Sequence, residues 1–419
     1  MSRPRLEVAE VARRYGPEFL ESLGHSLSAE QKRVLRDLVL CRTAALGGHV
    51  EACDACGHRR ICYNSCRNRD CPKCQGAARA RWLCARAAEL LPVPYFHVVF
   101  TLPSSLGPLA LQNPQVLYGL LFRAASQTLL EIAADPRHLG ARLGFLAILH
   151  TWGQNLMPHP HLHCLVPAGG ISGDGSRWIG CRKNFLLPVR VLSRVFRGKF
   201  LAGLRSAFRH GQLSFHGQLA PWAHSAHFQR LLQVARRRDW VVYAQPPFGG
   251  PRPVLKYLAR YTHRVAISNQ RLIDLEHGQV RFTYKDYAAG ARLKIMSLAA
   301  GEFLRRFLLH VLPRGWVRIR HYGFLANRVR TQRLALCRRL LGLAPTPAAS
   351  SPLPASPPVP SLPAAPGAPE PRCPRCGQGQ MLVIEILPAL PSTRPAGPPT
   401  LARAPPRPLG LAARVQQGD

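Results

Sequence analysis

Cysteines crowd the N-terminal part of the chain, and this crowding restricts its fold more than any other sequence feature. Eight of the thirteen cysteines lie within the first 84 residues. Among them, Cys53-x2-Cys56 and Cys71-x2-Cys74 form two pairs that 14 residues separate. Each pair can supply two of the four ligands of a tetrahedrally coordinated ion, and four thiolates suit Zn²⁺. The spacing therefore predicts one structural zinc site on Cys53, Cys56, Cys71 and Cys74.

Two alternatives to this single zinc site stay open. The simpler one is a set of free buried thiols. The other is a swapped ligand or a second ion, because the same region holds the spare donors Cys62, Cys66, His49 and His58. The C-terminal pair Cys373 and Cys376 is half of a zinc-ribbon knuckle with no second half nearby in the sequence, and it predicts no site by itself.

The chain carries a large excess of positive charge. It has 57 Lys+Arg against 21 Asp+Glu, a formal net charge of +36. A charge of this size implies a polyanionic partner, most simply nucleic acid, and neither a membrane nor a small-molecule partner is predicted. Arg67, Arg69 and Lys73 interleave with the cysteines, so we expect a metal-braced loop that contacts DNA. The alternative is a purely structural metal-binding loop whose cations only contact solvent.

The N-terminus predicts a cytoplasmic protein, associated with the nucleoid when it is bound to DNA. The first residues, MSRPRLEVAEVARRYG, lack the apolar core of a signal peptide. No apolar run reaches the roughly 18 residues of a membrane span. In a reducing compartment, cysteines favour metal binding over disulfides.

Hydrophobic periodicity predicts an α+β fold with three regions. A capping-box pattern at Ser28 and Gln31 predicts the start of a helix. Residues 254–264 are predicted to form a helix, and residues 271–287 a hairpin that turns at His277 and Gly278. Predicted strands and helices alternate irregularly, with hairpins, which is not the pattern of a doubly wound sheet. We expect a helical and zinc-binding domain over residues 1–90 and a larger domain over 91–335. Residues 336–419 are expected to form a Pro/Ala-rich disordered tail with an isolated Cys-x-x-Cys, since residues 344–371 contain 11 prolines.

A histidine-rich strand is the first candidate for chemistry. In the sequence HPHLH at 159–163, alternate side chains of a strand share a face, so His161 and His163 point the same way and can hold one divalent ion. Residues 141–240 contain only two acidic residues, Asp174 and Asp239, which makes a carboxylate-rich site unavailable locally. Gln154 is therefore predicted as the third ligand. Histidines on a polar sheet face are the alternative.

A tyrosine pair on a predicted helix is the second candidate. Tyr257 and Tyr261 are four residues apart and share one helix face. Lys256, Arg260 and Arg264 surround them, and cations both lower a phenol pKa and hold phosphate. A tyrosine beside a metal can attack a phosphodiester. Core packing of the two rings is the alternative.

Together these motifs resemble the rolling-circle transposases of insertion sequence 91, a branch of the HUH endonucleases. The matching stretches are YNSCRNRDCPKCQ at 63–75, HPHLH at 159–163, YLARYTHRVAISN at 257–269, YKDY at 284–287 and RHYGFLAN at 320–327. The resemblance implies an N-terminal zinc-binding domain and a nuclease domain whose central antiparallel sheet is flanked by helices. It also implies cleavage and rejoining of single-stranded or hairpin DNA through a 5′-phosphotyrosine.

The resemblance also implies roles for individual residues. His161 and His163 would bind the catalytic Mg²⁺ or Mn²⁺, and Tyr257 and Tyr261 would be the nucleophiles. One alternative is a catalytically inactive or non-enzymatic zinc-containing DNA-binding protein. A histidine-triad nucleotide hydrolase is a weaker alternative, because such domains are small and have neither a zinc knot nor paired tyrosines.

Overall fold

A computed structural model of the chain describes residues 6–245, 253, 266–287, 289–343 and 372–390. The helices and strands, numbered in chain order, are α1 (Val8–Leu23), α2 (Ala29–Leu40), β1 (Gly48–Cys53), β2 (Arg59–Tyr63), α3 (Gln75–Ala87), β3 (Tyr95–Thr101), α4 (Gly107–Gln112), α5 (Pro114–Ala134), β4 (Ala141–Arg142), β5 (Gly144–Trp152), β6 (Pro158–Pro167), β7 (Gly169–Ser172), β8 (Trp178–Gly180), α6 (Val189–Arg209), α7 (Ser225–Arg237), β9 (Val242–Gln245), β10 (Leu272–Glu276), β11 (Gln279–Asp286), β12 (Arg292–Ala299), α8 (Ala300–Leu308), β13 (Ile319–Gly323), α9 (Arg330–Leu340) and β14 (Met381–Leu387).

The chain forms two compact units, and their boundaries differ from the predicted domains. The first unit comprises Met1–Arg42 and Ser65–Glu370, and the second comprises Thr43–Asn64 and the residues from Pro371 onward. The difference has two physical causes. In the second unit, β1 pairs with β2 on one side and with the distant β14 on the other. In the first unit, α1 and α2 share a hydrophobic core with β10, β11 and α8 instead of forming a domain of their own.

The N-terminal helices form as the sequence predicts. At the start of α2, the Ser28 hydroxyl accepts a hydrogen bond from the Gln31 amide at 3.2 Å, and the Gln31 side chain accepts one from the Ser28 amide at 2.9 Å. This capping box satisfies two amides that a helix start leaves without partners. Val34, Leu35 and Leu38 are buried on one face of α2. They pack in the core that α8 also lines.

A five-stranded sheet organises the first unit. Its strand order is β13-β5-β6-β3-β9, and every neighbouring pair is antiparallel. Alternation along β6 divides the side chains between two faces. Leu162, Cys164 and Val166 belong to the large buried core that α5 and α6 also line. The predicted α+β class, with an antiparallel sheet flanked by helices, is confirmed, and His161 and His163 lie on the opposite face from that core.

A second, three-stranded sheet consists of β10, β11 and β12. The predicted hairpin over 271–287 is confirmed, since β10 and β11 turn at His277 and Gly278, which both have positive φ values. Sequence periodicity did not predict β12, β13 or β14. The predicted helix over 254–264 lies outside the described residues. Among the described residues, no helix is both long and apolar enough to span a bilayer.

We predict that Gly144→Ala destabilises the sheet where β5 meets β13. A Cβ atom at Gly144 would lie 2.5 Å from Cδ2 of Phe324 and 2.7 Å from the backbone nitrogen of Leu325. Overpacking of this kind typically lowers the free energy of unfolding by about 1–3 kcal/mol. Chemical denaturation measures the effect, and Gly173→Ala is the control because a Cβ there meets nothing within 4 Å. Equal unfolding midpoints for the two variants would contradict the close contact.

Candidate metal centres

Three imidazoles lie together on the face of the five-stranded sheet that points away from α5 and α6. The register pairs His150 of β5 with His161 of β6, and Ile148 with His163. Ligand nitrogens of His150, His161 and His163 all lie within 4.8 Å of one another. The ring centroids of His150 and His163 are 4.2 Å apart, and those of His161 and His163 are 4.7 Å apart. The cluster can therefore present three nitrogens to one cation.

Hydrogen bonds orient two of the three rings. His161 Nδ1 lies 2.5 Å from the carbonyl oxygen of His159 and donates to it, so its Nε2 lone pair is left for a cation. His163 Nδ1 lies 2.7 Å from Nε2 of the buried His97. When His163 Nδ1 donates in that pair, its own Nε2 is also available. Such outer partners fix the tautomer and orientation of metal-binding histidines.

Burial keeps the imidazoles of His161 and His163 neutral. His150 is 2% exposed and His163 is 8% exposed. Burial lowers the pKa of His161 to about 3 and that of His97 to about 4, and it lowers the pKa of His163 well below the ordinary value. His161 and His163 are thus unprotonated near neutral pH, which is the form that binds metal ions.

The loop between β5 and β6 carries the predicted third ligand, Gln154. Arg271 donates to the Gln154 carbonyl at 2.5 Å, and Arg306 donates to the Asn155 carbonyl at 3.2 Å. His310 Nε2 donates to the Leu156 carbonyl at 2.9 Å. Gln154 lines the same cavity as the imidazoles, but the third nitrogen of the cluster belongs to His150. Sequence spacing missed His150 because it is a neighbour of His161 only across the sheet.

The imidazoles open into a cavity of about 570 Å³. The end of β11 and the residue after it also line this cavity, through Tyr284, Lys285, Asp286 and Tyr287. Asp286 accepts a hydrogen bond from Lys294 Nζ at 2.7 Å, and Tyr287 is 67% exposed. Two tyrosines of the described residues therefore line the same cavity as the imidazoles. The predicted Tyr257, Tyr261, Lys256, Arg260 and Arg264 lie outside the described residues.

The cysteines group differently from the single predicted zinc site. In the first unit, Cys71 and Cys74 lie with Cys41 and Cys66. The Sγ atoms of Cys41 and Cys66 are each 3.5 Å from that of Cys74, and Cys71 Sγ is 3.6 Å from Cys41 Sγ. A tetrahedron with Zn–S bonds of about 2.3 Å has edges of about 3.8 Å, so this group fits a zinc ion.

Cys53 and Cys56, the other half of the predicted site, lie in the second unit with Cys373 and Cys376. The C-terminal pair is therefore not isolated, which corrects the prediction. The sequence does contain a signal for this grouping, because both pairs have the form Cys-x-x-Cys-Gly. His49, Glu51 and Cys62 also lie close together. Glu51 is already held there by Arg60 at 2.5 Å and by His49 at 3.1 Å.

The structure gives two of the three predicted DNA contacts in the cysteine-rich loop an internal role. Arg69 donates hydrogen bonds to the carbonyls of Leu312, Pro313 and Trp316. Lys73 is 12% exposed and pairs with Glu7 at 2.5 Å. Arg67 is exposed. Arg69 is exposed as well, but its guanidinium group is engaged in these internal hydrogen bonds. The net charge alone did not distinguish Arg69 and Lys73, which have partners within the protein, from Arg67.

A row of exposed arginines lies on α6, and we call it the α6 arginine stripe. Its members are Arg190, Arg194, Arg205 and Arg209, all exposed. At about 100° of rotation per residue, they fall within about 100° of the helix circumference. Two other cations of α6 are paired, Arg197 with Asp239 and Lys199 with Glu131. The stripe thus concentrates positive charge on one surface.

Comparisons with known proteins agree over most of the chain. A family model described as "Putative transposase" matches residues 144–333, and one described as "Transposase zinc-binding domain" matches residues 11–102. The putative transposase y4qJ of Sinorhizobium fredii is 56% identical over 386 residues, which cover 92% of this chain and 96% of that protein. The transposase for insertion sequence element IS801 of Pseudomonas savastanoi pv. phaseolicola is 32% identical over 319 residues, 74% of each chain.

Among solved structures, the chain is similar to the conjugative relaxase TrwC in complex with oriT DNA, in a metal-bound form. The sequence identity is 16% and the TM-score is 0.23. The similarity covers 40% of this chain and 70% of the relaxase.

We predict that metal binding weakens when the imidazole of His150 is removed, and also when His163 loses its hydrogen-bond partner His97. His150→Ala deletes one nitrogen, and His97→Ala releases His163, a change that typically costs 10–100-fold in metal affinity. Isothermal titration calorimetry with Mn²⁺ measures both variants. His159→Ala is the matched control, because His159 supplies a backbone carbonyl that the substitution retains. Equal weakening by His159→Ala would contradict this ligand set.

Proposed function

Because the chain belongs to the IS91 family of transposases, we propose that it cuts and rejoins single-stranded or hairpin DNA at the ends of its mobile element through a 5′-phosphotyrosine. The observation that carries the proposal is the cluster of His150, His161 and His163, which lines a cavity that two tyrosines of the described residues also line. A nitrogen cluster of this kind suits a divalent ion, and the cavity is large enough for a nucleotide-sized group.

The donor set supports Mn²⁺ over Mg²⁺ as the catalytic ion. Mg²⁺ prefers oxygen ligands, and Mn²⁺ is closer to the transition metals that imidazole suits. His150, His161 and His163 would hold the ion. When bound there, it would polarise the oxygens of the scissile phosphate. His97 would act as a positioning residue, since it touches His163 instead of the ion.

The proposed reaction conserves the energy of the phosphodiester. The oxygen of Tyr257 or Tyr261 attacks the phosphorus, the bond from phosphorus to the 3′ oxygen breaks, and that oxygen leaves as a 3′-hydroxyl after gaining a proton. The 5′ end then remains bonded to the tyrosine. A free 3′-hydroxyl reverses the step and rejoins a strand without ATP. Lys256, Arg260 and Arg264 are the proposed phosphate contacts beside the nucleophiles.

Two other surfaces support binding of single-stranded DNA. Tyr287 lines the cavity and is 67% exposed, and stacking of a base on an aromatic ring contributes about 1–3 kcal/mol. The α6 arginine stripe offers four exposed guanidinium groups to phosphates. Arginine binds phosphate well because its planar fork can donate two hydrogen bonds at once. Arg67 remains a proposed further contact.

A panel of tyrosine variants tests the proposed nucleophiles. With Mn²⁺ and a labelled single-stranded oligonucleotide that carries the element's end, we expect the wild-type protein to form a covalent adduct that survives denaturing electrophoresis. Tyr257→Phe/Tyr261→Phe should abolish the adduct. Tyr284→Phe and Tyr287→Phe should retain it, because they keep the rings that border the cavity and lose only the hydroxyls.

Three other outcomes would each overturn part of the proposal. Loss of the adduct only in the Tyr284→Phe or Tyr287→Phe variants would show that the nucleophile is Tyr284 or Tyr287 instead. An undiminished adduct in a metal-free reaction with chelator would contradict the proposed role of the imidazole cluster in binding a catalytic ion. DNA binding with retained zinc but no adduct in the wild-type protein would favour a non-enzymatic DNA-binding protein.

We predict that the α6 arginine stripe contributes to the salt dependence of DNA binding. For single strands, the slope of log affinity against log salt is about −0.7 per neutralised phosphate. Arg194→Gln/Arg205→Gln should therefore weaken binding at low salt and reduce the slope by about 1.4. Fluorescence anisotropy over a salt series measures both quantities. Arg137→Gln is the control, since Arg137 is exposed but paired with Asp135 at 2.6 Å; an equal change there would contradict the assignment.

A further inference from the structure

We propose that Cys53, Cys56, Cys373 and Cys376 form a second structural zinc site, which joins the ends of two segments more than 300 residues apart in sequence. Sγ of Cys53 lies 3.7 Å from that of Cys376, and Sγ of Cys56 lies 3.7 Å from that of Cys373. All four Sγ atoms lie within 4.8 Å of one another. Zn–S bonds of about 2.3 Å in a tetrahedron place sulfurs about 3.8 Å apart, so the spacing matches the ion.

The two Cys-x-x-Cys-Gly segments adopt the same backbone conformation. The Gly57 amide donates to the Cys53 carbonyl at 3.0 Å, and the Gly377 amide donates to the Cys373 carbonyl at 2.9 Å. Gly57 has a φ of 67° and Gly377 has a φ of 69°, values that favour glycine. Each pair therefore forms one tight turn that directs both of its thiols to the same point.

Backbone amides also point at the sulfurs. The Cys56 amide lies 3.4 Å from Cys53 Sγ, and the Arg375 amide lies 3.4 Å from Cys373 Sγ. The Gly379 amide lies 3.5 Å from Cys376 Sγ. Hydrogen bonds of this kind stabilise the charge that a thiolate carries when it binds a metal ion. The donors suit thiolates better than they suit neutral thiols.

Direct contacts hold the two turns against each other. Asp54 donates from its amide to the Gln380 carbonyl at 3.1 Å, and its carboxylate accepts from the Gln380 amide at 2.8 Å. At Gly379, a Cβ atom would lie 2.5 Å from Cys53 Sγ, so only glycine allows this approach. The pairing of β1 with β14 continues from this point, from Cys53 opposite Met381 to Gly48 opposite Leu387.

Little else stabilises this unit. The three buried hydrophobic clusters of the described residues contain no member of its segments 43–64 and 372–390. On β14, Leu382, Val383, Ile384 and Ile386 are all about half exposed or more. Units this small usually need a metal or a disulfide to fold, and the cysteines here are free. A zinc ion supplies the missing stabilisation, and the segment beyond the proline-rich stretch becomes a required part of the fold.

Zinc content of the full chain tests the site without reference to DNA cleavage. Inductively coupled plasma mass spectrometry should show that Cys373→Ser/Cys376→Ser loses one equivalent of zinc relative to the wild type. Cys71→Ser/Cys74→Ser should lose a different equivalent, and His150→Ala/His163→Ala controls for zinc on the imidazoles. Cys84→Ser is the matched cysteine control and should lose none. Unchanged zinc in Cys373→Ser/Cys376→Ser would overturn the proposal.

A cleavage experiment separates loss of zinc from failure to fold. A protease site inserted within residues 344–370 of the full chain allows the C-terminal segment to be cut from the folded protein. With zinc, the two fragments should co-elute in size-exclusion chromatography, and a chelator should separate them. Separation in the presence of zinc, or co-elution that persists after zinc has been removed, would overturn the proposal.

Discussion

The hydrogen-bonded pairing of β5 with β6 is the constraint on which the imidazole cluster depends. Side chains alternate between the two faces of a strand, so a slip of one residue would turn His161 and His163 toward the helices. The register resists such a slip because Leu162 and Cys164 are completely buried against α5 and α6. The hydrophobic core against α5 and α6 thereby determines which nitrogens meet, although none of its described members lines the cavity.

Neutral ligands give this site a distinctive charge balance. His161 and His163 are uncharged near neutral pH, His150 is buried beside them, and Asp286, a carboxylate that lines the cavity, is paired with Lys294. A divalent ion bound by neutral imidazoles would keep nearly all of its positive charge. A phosphodiester is the natural counter-ion for such a centre, which agrees with the basic character of the whole chain.

Local patterns predicted much of the fold. The capping box at Ser28 and Gln31, the turn at His277 and Gly278, and the shared face of His161 and His163 each depend on residues a few positions apart. Their physical causes are helix capping, turn geometry and strand alternation. Each of these features is confirmed.

Contacts between distant segments account for what sequence could not predict. His150 reaches the imidazole cluster only through the pairing of two strands. Cys41 meets Cys71 and Cys74 from the end of a helix 30 residues earlier, so the adjacent Cys-x-x-Cys pairs were combined incorrectly. Likewise, a count of charges cannot distinguish Lys73, which pairs with Glu7, from Arg67, which is exposed.

The two partners of β1 lie at very different distances along the chain, and this affects how the sheet forms during protein synthesis. Its pairing with β2 is available as soon as residue 63 has left the ribosome, whereas Cys53 and Cys376 are 323 positions apart. At 5–20 residues per second, that interval takes roughly 16–65 s. Throughout it, an unpaired edge of the sheet and the thiols of Cys53 and Cys56 await their partners. A nascent chain of this kind is exposed to mispairing until the segment that carries Cys373 and Cys376 has been made.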